Sequence, residues 1–373
     1  MKKLWVLLVL FALTFFLSAG AAGAAGVENA DKPAKGQWDF KVQKVWSIDA
    51  AGDDVPGEIR SIKVTENGTV YFHDGRNKRY YIFDKNGTFV KAFGKKGEGP
   101  GEIKWIGQAP FFTVNDKIII ADLDSIHYFS RGGDYIRSVK NNFMNHRPSL
   151  FINEDEFISA PLLQIDTRGK PSTINRYNVK TGEETVITPF SVFTGGVARS
   201  GGSVIALVDR ALTPMMIIGF DGKRLYYGMN NSYTIDVSDV SGKKELTFTL
   251  DRETKTVSEA DKRKRFDRSG SAPEAMVEKI IKSTPDVLTY FSRIESYNGL
   301  IYVFPTGLDR GSRQEIDIFS ADGKYLYRAA IEVEEGSRIQ TDPFIKDNHL
   351  YLVVEDEDGE VTINKYKIAL PTG

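Results

Sequence analysis

Five turn-linked strand pairs and a sixth unpaired half, spread along 373 residues, predict an all-β fold. The expected architecture is a ring of six four-stranded blades, closed by a strand from the N-terminal end. Three observations carry that reading. A hairpin pattern recurs with Phe83, Phe129, Tyr177, Val237, Phe319 and Tyr366 in equivalent places, at gaps of 46, 48, 60, 82 and 47 residues. Two words echo each other, PGEIRSI at 56–62 and PGEIKWI at 100–106, offset by 44. The last hairpin half, INKYKIAL at 363–370, has no returning strand, whereas WDFKVQKVWSI at 38–48 reads as a strand with no unit of its own.

Lys2 and Lys3 precede an apolar run from Leu4 to Leu17, followed by AGAAGAAG. That order reads as a secretory leader over 1–25, cleaved between Ala22 and Val27. A bilayer span needs roughly 20 apolar residues, and this run is shorter. The mature protein is therefore expected outside the cytoplasm, periplasmic or extracellular, with no membrane span and as a monomer. The chain has no cysteine, which excludes a disulfide scaffold, a lipid-modified N-terminal Cys, thiol nucleophiles and zinc–thiolate sites. Lys plus Arg number 49 against 50 Asp plus Glu, so no basic field exists to hold nucleic acid. Residues 26–37 read as a linker and 38–373 as the propeller.

The first unit is the most legible. TVYFH (69–73) reads as a strand, DGRNK as a loop and RYYIFDK (79–85) as the next strand. Asn86-Gly87 reads as a two-residue hairpin turn before the returning strand TFVKAFG. Closing strand 38–48 alternates Trp38, Phe40, Val42, Trp46 and Ile48 on one face. The Gly-rich GKKGEGPGEIKWI (94–106) invites a phosphate-cradle reading. It lacks the Gly-Lys-Ser/Thr of a Walker loop, and no helix follows it, so it reads as the link from one blade to the next.

With those residues in view, VYFHDGRNKRYYIFDKNGTFVKAFGKKGEGPGEI resembles an NHL repeat of the six-bladed propeller class, a group that also includes TolB-like propellers. Asp74, Arg79, Phe83, Asp84, Gly87, Phe93, Gly94, Gly97, Gly99, Pro100, Gly101 and Glu102 carry the resemblance, and Asp122, Phe129 and Gly133 carry it into the second unit. The resemblance implies the fold and leaves the activity open.

The gap of 82 residues contains TVSEADKRKRFDRSGSAPEAMVEKIIKSTPD, which predicts a helical insertion over about 256–284, before the fifth blade. Ser258 and Ser271 each begin a capping box, Met276, Val277, Ile280 and Ile281 share a helical face, and Pro285 stops the second helix. Lys262, Arg263, Lys264, Arg265 and Arg268 read as a solvated basic face, with an anionic-ligand site as the alternative. The insertion is placed to lid the channel or to dock a partner.

The histidines are His73, His127, His146 and His349, and they fall at inequivalent blade positions, which argues against a symmetric three-His metal cage. Six-bladed lyases and lactonases place His, Asp, Asn or Glu at channel-facing strand ends around zinc or calcium. Asp74, Asp122 and Asp124 sit where such ligands would be, and the competing reading is that they turn the loop after the second strand. EDEDGE at 355–360 lacks the spacing of a calcium loop and reads as a turn. The candidate ligand-binding residues are His73, Asp74, Arg76, Trp105, Asp122 and Arg210, all at the channel mouth. No catalytic set can be assigned and no cofactor is expected. The sequence thus points to a non-catalytic binding propeller that takes an envelope or extracellular protein, a peptide or a glycan. The alternative is a metal-dependent hydrolase or lyase resembling gluconolactonases, which would use calcium or zinc.

Overall fold

The computed structural model describes residues 25–142, 146–161, 171–191, 197–200, 203–206, 208–266, 273–307 and 311–371. Six sheets follow one another around a ring. Blade one is built from Ile59–Val64, Val70–Asp74, Arg79–Phe83 and Phe89–Phe93, paired antiparallel in sequence order. Blade two runs from Phe111–Val114 to Tyr135–Lys140, blade three from Pro148–Phe151 to Glu184–Phe190 and blade four from Met216–Phe220 to Lys244–Asp251. Blade five spans Phe291–Tyr297 to Tyr325–Glu332. Blade six takes Phe344–Lys346, His349–Glu355 and Val361–Lys367 from the C-terminal end, and its outer strand is Gln43–Ile48. The ring is closed as the sequence predicts: Ile48 pairs with Ile363 and Lys44 with Tyr366. Closure gives the last C-terminal strand a partner on its otherwise open edge.

Each blade is apolar on both faces because each packs against two neighbours, so the second strand Val70–Asp74 is buried throughout. One apolar cluster fills each of the six blade interfaces. Phe72, Tyr81 and Phe83 meet Tyr351, Val353 and Ile363 between blades one and six. Tyr80, Ile82 and Phe93 meet Phe111, Ile118 and Phe129 between blades one and two. All six positions aligned in the sequence fall on third strands.

The first hairpin turn differs from the expected two-residue form. Gly87 alone has positive φ (82°), Asp84 N–H donates to the Thr88 carbonyl, and the ladder shifts register between Ile82 and Phe83. Gly133, Gly242 and Gly323 repeat the arrangement, with the same shift beside Phe129, Val237 and Phe319. A left-handed glycine plus a bulge turns these strands while keeping the third-strand aromatic inward.

Nor does 38–48 form one strand. Lys41 adopts φ 48° and divides it. Gln37–Trp38 adds parallel to the outer strand of blade five, and only Gln43–Ile48 closes blade six. Val42, expected inward, is 44% exposed, while Phe40 is buried between blades five and six. The stretch expected to be a linker is also ordered: Ala25–Ala30 adds parallel to Lys244–Asp251 of blade four. The N-terminal segment is therefore a strap around three blades. Asn29 fastens it, donating to the Thr249 and Gly323 carbonyls (both 2.9 Å) and accepting from Tyr325 N–H (2.8 Å). Asp31 accepts from Arg252, whose other contacts hold the buried Asp317 at 2.5 and 2.9 Å.

The helices Glu259–Phe266 and Glu274–Ser283 lie before blade five. Ser258 and Asp261 form the reciprocal capping box, while Ser271 lies outside the described residues. Met276, Val277, Ile280 and Ile281 pack on Ala211 and Leu212, in the loop that enters blade four. The basic run is largely consumed by ion pairs rather than solvated. Lys262 is buried against the Thr284 carbonyl and Asp286 (both 2.6 Å), Arg263 pairs with Glu274 and Glu278, and Arg265 pairs with Asp209 at 2.9 Å. Lys264 is exposed, and Arg268 lies outside the described residues.

Candidate functional site

The channel mouth is the face where second strands end and links enter the next blade. In five blades the residue at or just after the end of the second strand ties down an entering link. Asp74, fully buried, accepts from the N–H groups of Gly57 (2.8 Å), Glu58 (3.2 Å), Arg76 (2.8 Å) and Asn77 (3.1 Å). Asp122 accepts from Lys104 (2.6 Å), Trp105 (3.0 Å) and Leu123 (2.8 Å). Asn230 takes Met215 N–H at 2.8 Å and donates to the Arg210 carbonyl at 3.3 Å. Thr306 donates to the Thr289 carbonyl, and Glu355 accepts from Gln340, which itself accepts from Ile59 N–H.

These contacts also fix the blade register. The amide pairs Gly57/Glu58 and Lys104/Trp105 are 47 residues apart and the two aspartates 48, so the PGEI words offset by 44 are not equivalent in space. The second word instead builds a small loop of its own, in which Lys95–Lys96 pairs parallel with Glu102–Ile103. Its Gly99 amide is taken by Glu102 (2.9 Å), which also pairs with Lys95 (2.8 Å), so that amide and that ammonium are already bound.

His73 is also internal. Its Nε2 donates to the Ile106 carbonyl at 2.6 Å, its ring stacks on Tyr80 at 4.5 Å, and burial pushes its pKa down to about 4. The neutral imidazole is therefore the folded-state form. Burial would raise the Asp122 carboxyl, but the nearby His127 and the hydrogen bonds from the Leu123, Lys104 and Trp105 amides hold it below the usual range. Near it Ser138 lies 2.8 Å from His127 Nδ1, and His127 Nε2 lies 3.7 Å from Asp122. The order Ser-His-Asp is present, yet 3.7 Å is no hydrogen bond and both Asp122 oxygens already accept amides. Ser138 also pairs directly across the ladder with His127, which makes this a cross-strand contact.

The other three candidates are not enclosed in this way. Arg76 is exposed and crosses Gly57, where an added Cβ would lie 2.4 Å from its Cδ. Trp105 is half-buried in the link to blade two. Arg210 is exposed and pairs with Asp342 of blade six at 3.2 Å, reaching across the mouth from the entry to blade four. The structure adds residues that the sequence reading missed. Arg60 pairs with Glu58 at 2.8 Å, and Arg147, at the entry to blade three, has its proton affinity lowered by burial and by Arg210. Lys63 lies on the inner strand of blade one, and Arg293 pairs with Glu295 on that of blade five. Among the described residues, no three His, Asp or Glu side chains converge as a metal site would require. Among those residues, no helix is long and apolar enough to cross a membrane.

A family described as DUF5128, 6-bladed beta-propeller, matches residues 52–162. The fold is thus a six-bladed propeller on both sequence and structural grounds. A member of the DUF4221 family from Bacteroides vulgatus superposes with a TM-score of 0.54 at 12% identity, over 90% of this chain and 100% of its own. A Bacteroides fragilis protein described as a "putative exported protein" gives 0.52 at 12% identity, over 93% and 100%. Calcium-binding regucalcin from Agrobacterium tumefaciens gives 0.41 at 10% identity over 92% and 97%, a similarity too low to speak to this chain's chemistry. No curated protein matches the chain in sequence.

Proposed function

We propose that this protein is an exported, non-catalytic NHL-like propeller that binds a peptide, glycan or protein partner through its channel-mouth face. One observation carries the reading. The acidic and imidazole groups on that face that a hydrolase would use, Asp74, Asp122 and His73, are buried and spent on backbone groups, whereas Arg76 and Arg210 are exposed and Trp105 is partly so. Arg and Trp are the side chains that most often anchor interfaces, because each offers a large flat surface together with hydrogen-bond donors. The leader-like N-terminal sequence supports export. A metal-dependent hydrolase would need carboxylates with free lone pairs at the mouth, and Asp74 and Asp122 do not offer them. The test is binding of the full mature chain to glycan and peptide arrays, compared with Arg76→Ala/Trp105→Ala. Loss of every positive signal in the double variant, with unchanged melting, is the expected result. Undiminished binding would place the site elsewhere.

A further inference from the structure

Three Asn-Gly pairs occur in the chain, Asn67-Gly68, Asn86-Gly87 and Asn298-Gly299, and each sits in a turn between two strands. Each glycine is left-handed, at φ 84°, 82° and 74°. The turns nevertheless place the pairs differently. In the first two, the glycine is the last residue of a four-residue turn and its own N–H closes it. Gly68 donates to the Thr65 carbonyl at 2.9 Å and Gly87 to the Asp84 carbonyl at 3.1 Å. Asn67 is held further, its Oδ1 accepting from the Thr65 hydroxyl (2.6 Å) and from Thr69 N–H (3.2 Å). The third pair is a two-residue hairpin loop of blade five, between Phe291–Tyr297 and Leu300–Pro305, with Tyr297 and Leu300 facing each other across the ladder. Asn298 is left-handed too (φ 52°), the type I′ arrangement, so Gly299 is an inner residue of the turn and Leu300 takes the closing position. Neither Gly299 N–H nor the Asn298 side chain has a hydrogen-bond partner among the described residues. Both residues are exposed, and a Cβ added to Gly299 would meet no atom within 4 Å.

We propose that Asn298 is a modification site, which loses its side-chain amide spontaneously through a succinimide formed with Gly299, while Asn67 and Asn86 are protected by their turns. The Gly299 nitrogen gives up its proton and attacks the Asn298 side-chain carbonyl carbon. The carbon–nitrogen bond of the side-chain amide breaks, and its nitrogen leaves as ammonia with that proton. Water then opens the ring at either carbonyl, giving aspartate or isoaspartate, so water is consumed and ammonia released in equal amounts. A following glycine favours the attack because no Cβ shields its nitrogen. An N–H already committed to a carbonyl must first be freed, which slows attack by about two- to tenfold for a hydrogen bond of ordinary strength. Gly299 has no such bond to break. Either product adds a negative charge, and isoaspartate also lengthens the main chain by one carbon inside a turn whose length sets the hairpin register. Asn298-Gly299 joins an inner strand to a second strand, so it lies on the face opposite the mouth, and the reaction is independent of binding there.

The test incubates the full mature chain in mildly alkaline buffer, once folded and once unfolded in guanidinium chloride. Peptide mapping by mass spectrometry then follows the amide-to-acid change at all three asparagines and separates aspartate from isoaspartate. In the folded chain Asn298 is expected to convert about two- to tenfold faster than Asn86, the margin of the Gly87 hydrogen bond, and Asn67 to be slowest because its side chain is held as well. In the unfolded chain the three rates should converge, since the turns that separate them are gone. The mixed product, isoaspartate together with aspartate, is the signature of the ring intermediate. Folded-state conversion of Asn298 no faster than that of Asn86 overturns the proposal. So does a lead for Asn298 that persists unchanged in guanidinium chloride, because neighbouring sequence rather than the turn would then set the rate. Aspartate formed without isoaspartate also overturns it, since direct hydrolysis would not need Gly299.

Discussion

Replacing Asp74 by alanine is the sharpest way to ask whether the mouth acids are structural. The change strands four backbone N–H groups, those of Gly57, Glu58, Arg76 and Asn77, and the Asn77 side-chain amide as well. Arg76 is exposed, so water can reach that end of the loop, whereas the Gly57 bond is buried. A buried donor left without an acceptor costs about 1–3 kcal/mol, and partly wet donors cost less. Removing one member of a buried charged network costs about 3–5 kcal/mol, so a loss of roughly 4 kcal/mol is expected. With an unfolding entropy near 2.1 cal/mol/K per residue, that corresponds to a melting point lower by roughly 4–7 °C for a chain of this size. Differential scanning calorimetry of Asp74→Ala reads it directly. Asp74→Asn, which keeps one acceptor oxygen, should fall between the two. Asp116→Ala is the surface control, since that side chain is 72% exposed and contacts only Lys117. A melting point for Asp74→Ala within 1 °C of the wild type, on the scale of an ordinary surface change, would refute the claim that this carboxylate holds the link.

Other expectations follow from the same contacts. His73 is neutral when folded, with a pKa near 4 against an ordinary 6.5, so protons favour the unfolded chain. Stability is therefore full above pH 6.5 and falls between 6.5 and 4, by up to about 3 kcal/mol; His73→Gln should flatten that segment of a melting-versus-pH curve, and an unchanged slope contradicts the assignment. A chain beginning at Asp49 loses the strap and the outer strand of blade six, exposing the edge of Val361–Lys367, and should aggregate or unfold without cooperativity; a monomer with unaltered melting by light scattering and calorimetry refutes closure. Gly101 has φ 75° and its added Cβ would lie 3.0 Å from Tyr135, so Gly101→Ala should cost more than about 1 kcal/mol, whereas Gly99→Ala should cost little. Lys95→Ala/Lys96→Ala should change melting little, and equal losses in all three variants would show the loop to be something other than a link.

The fold was legible because its signal is periodic. Third-strand aromatics such as Phe83 and Phe129 recur wherever a blade must fill the interface beside it, and a strand missing at one end of the chain had a surplus strand at the other. The N-terminal strap was not legible. VENADK carries no strand alternation, and its docking depends on Asn29 and Asp31 meeting Tyr325 and Arg252, some 220–300 residues away. The site was half legible. His73, Asp74 and Asp122 were found because they end strands, but whether a carboxylate faces a ligand or a row of amides depends on how the link folds back, which local sequence does not encode.

Elemental analysis of the purified, exported chain, prepared without chelator, tests the central claim most directly. If the mouth acids are committed to backbone amides and the face serves to bind, calcium and zinc should be well below one equivalent per chain, and addition of either should leave the melting point unchanged. One tightly held calcium or zinc per chain, lost together with stability in Asp74→Asn or Asp122→Asn, would contradict it and return the metal-dependent hydrolase reading.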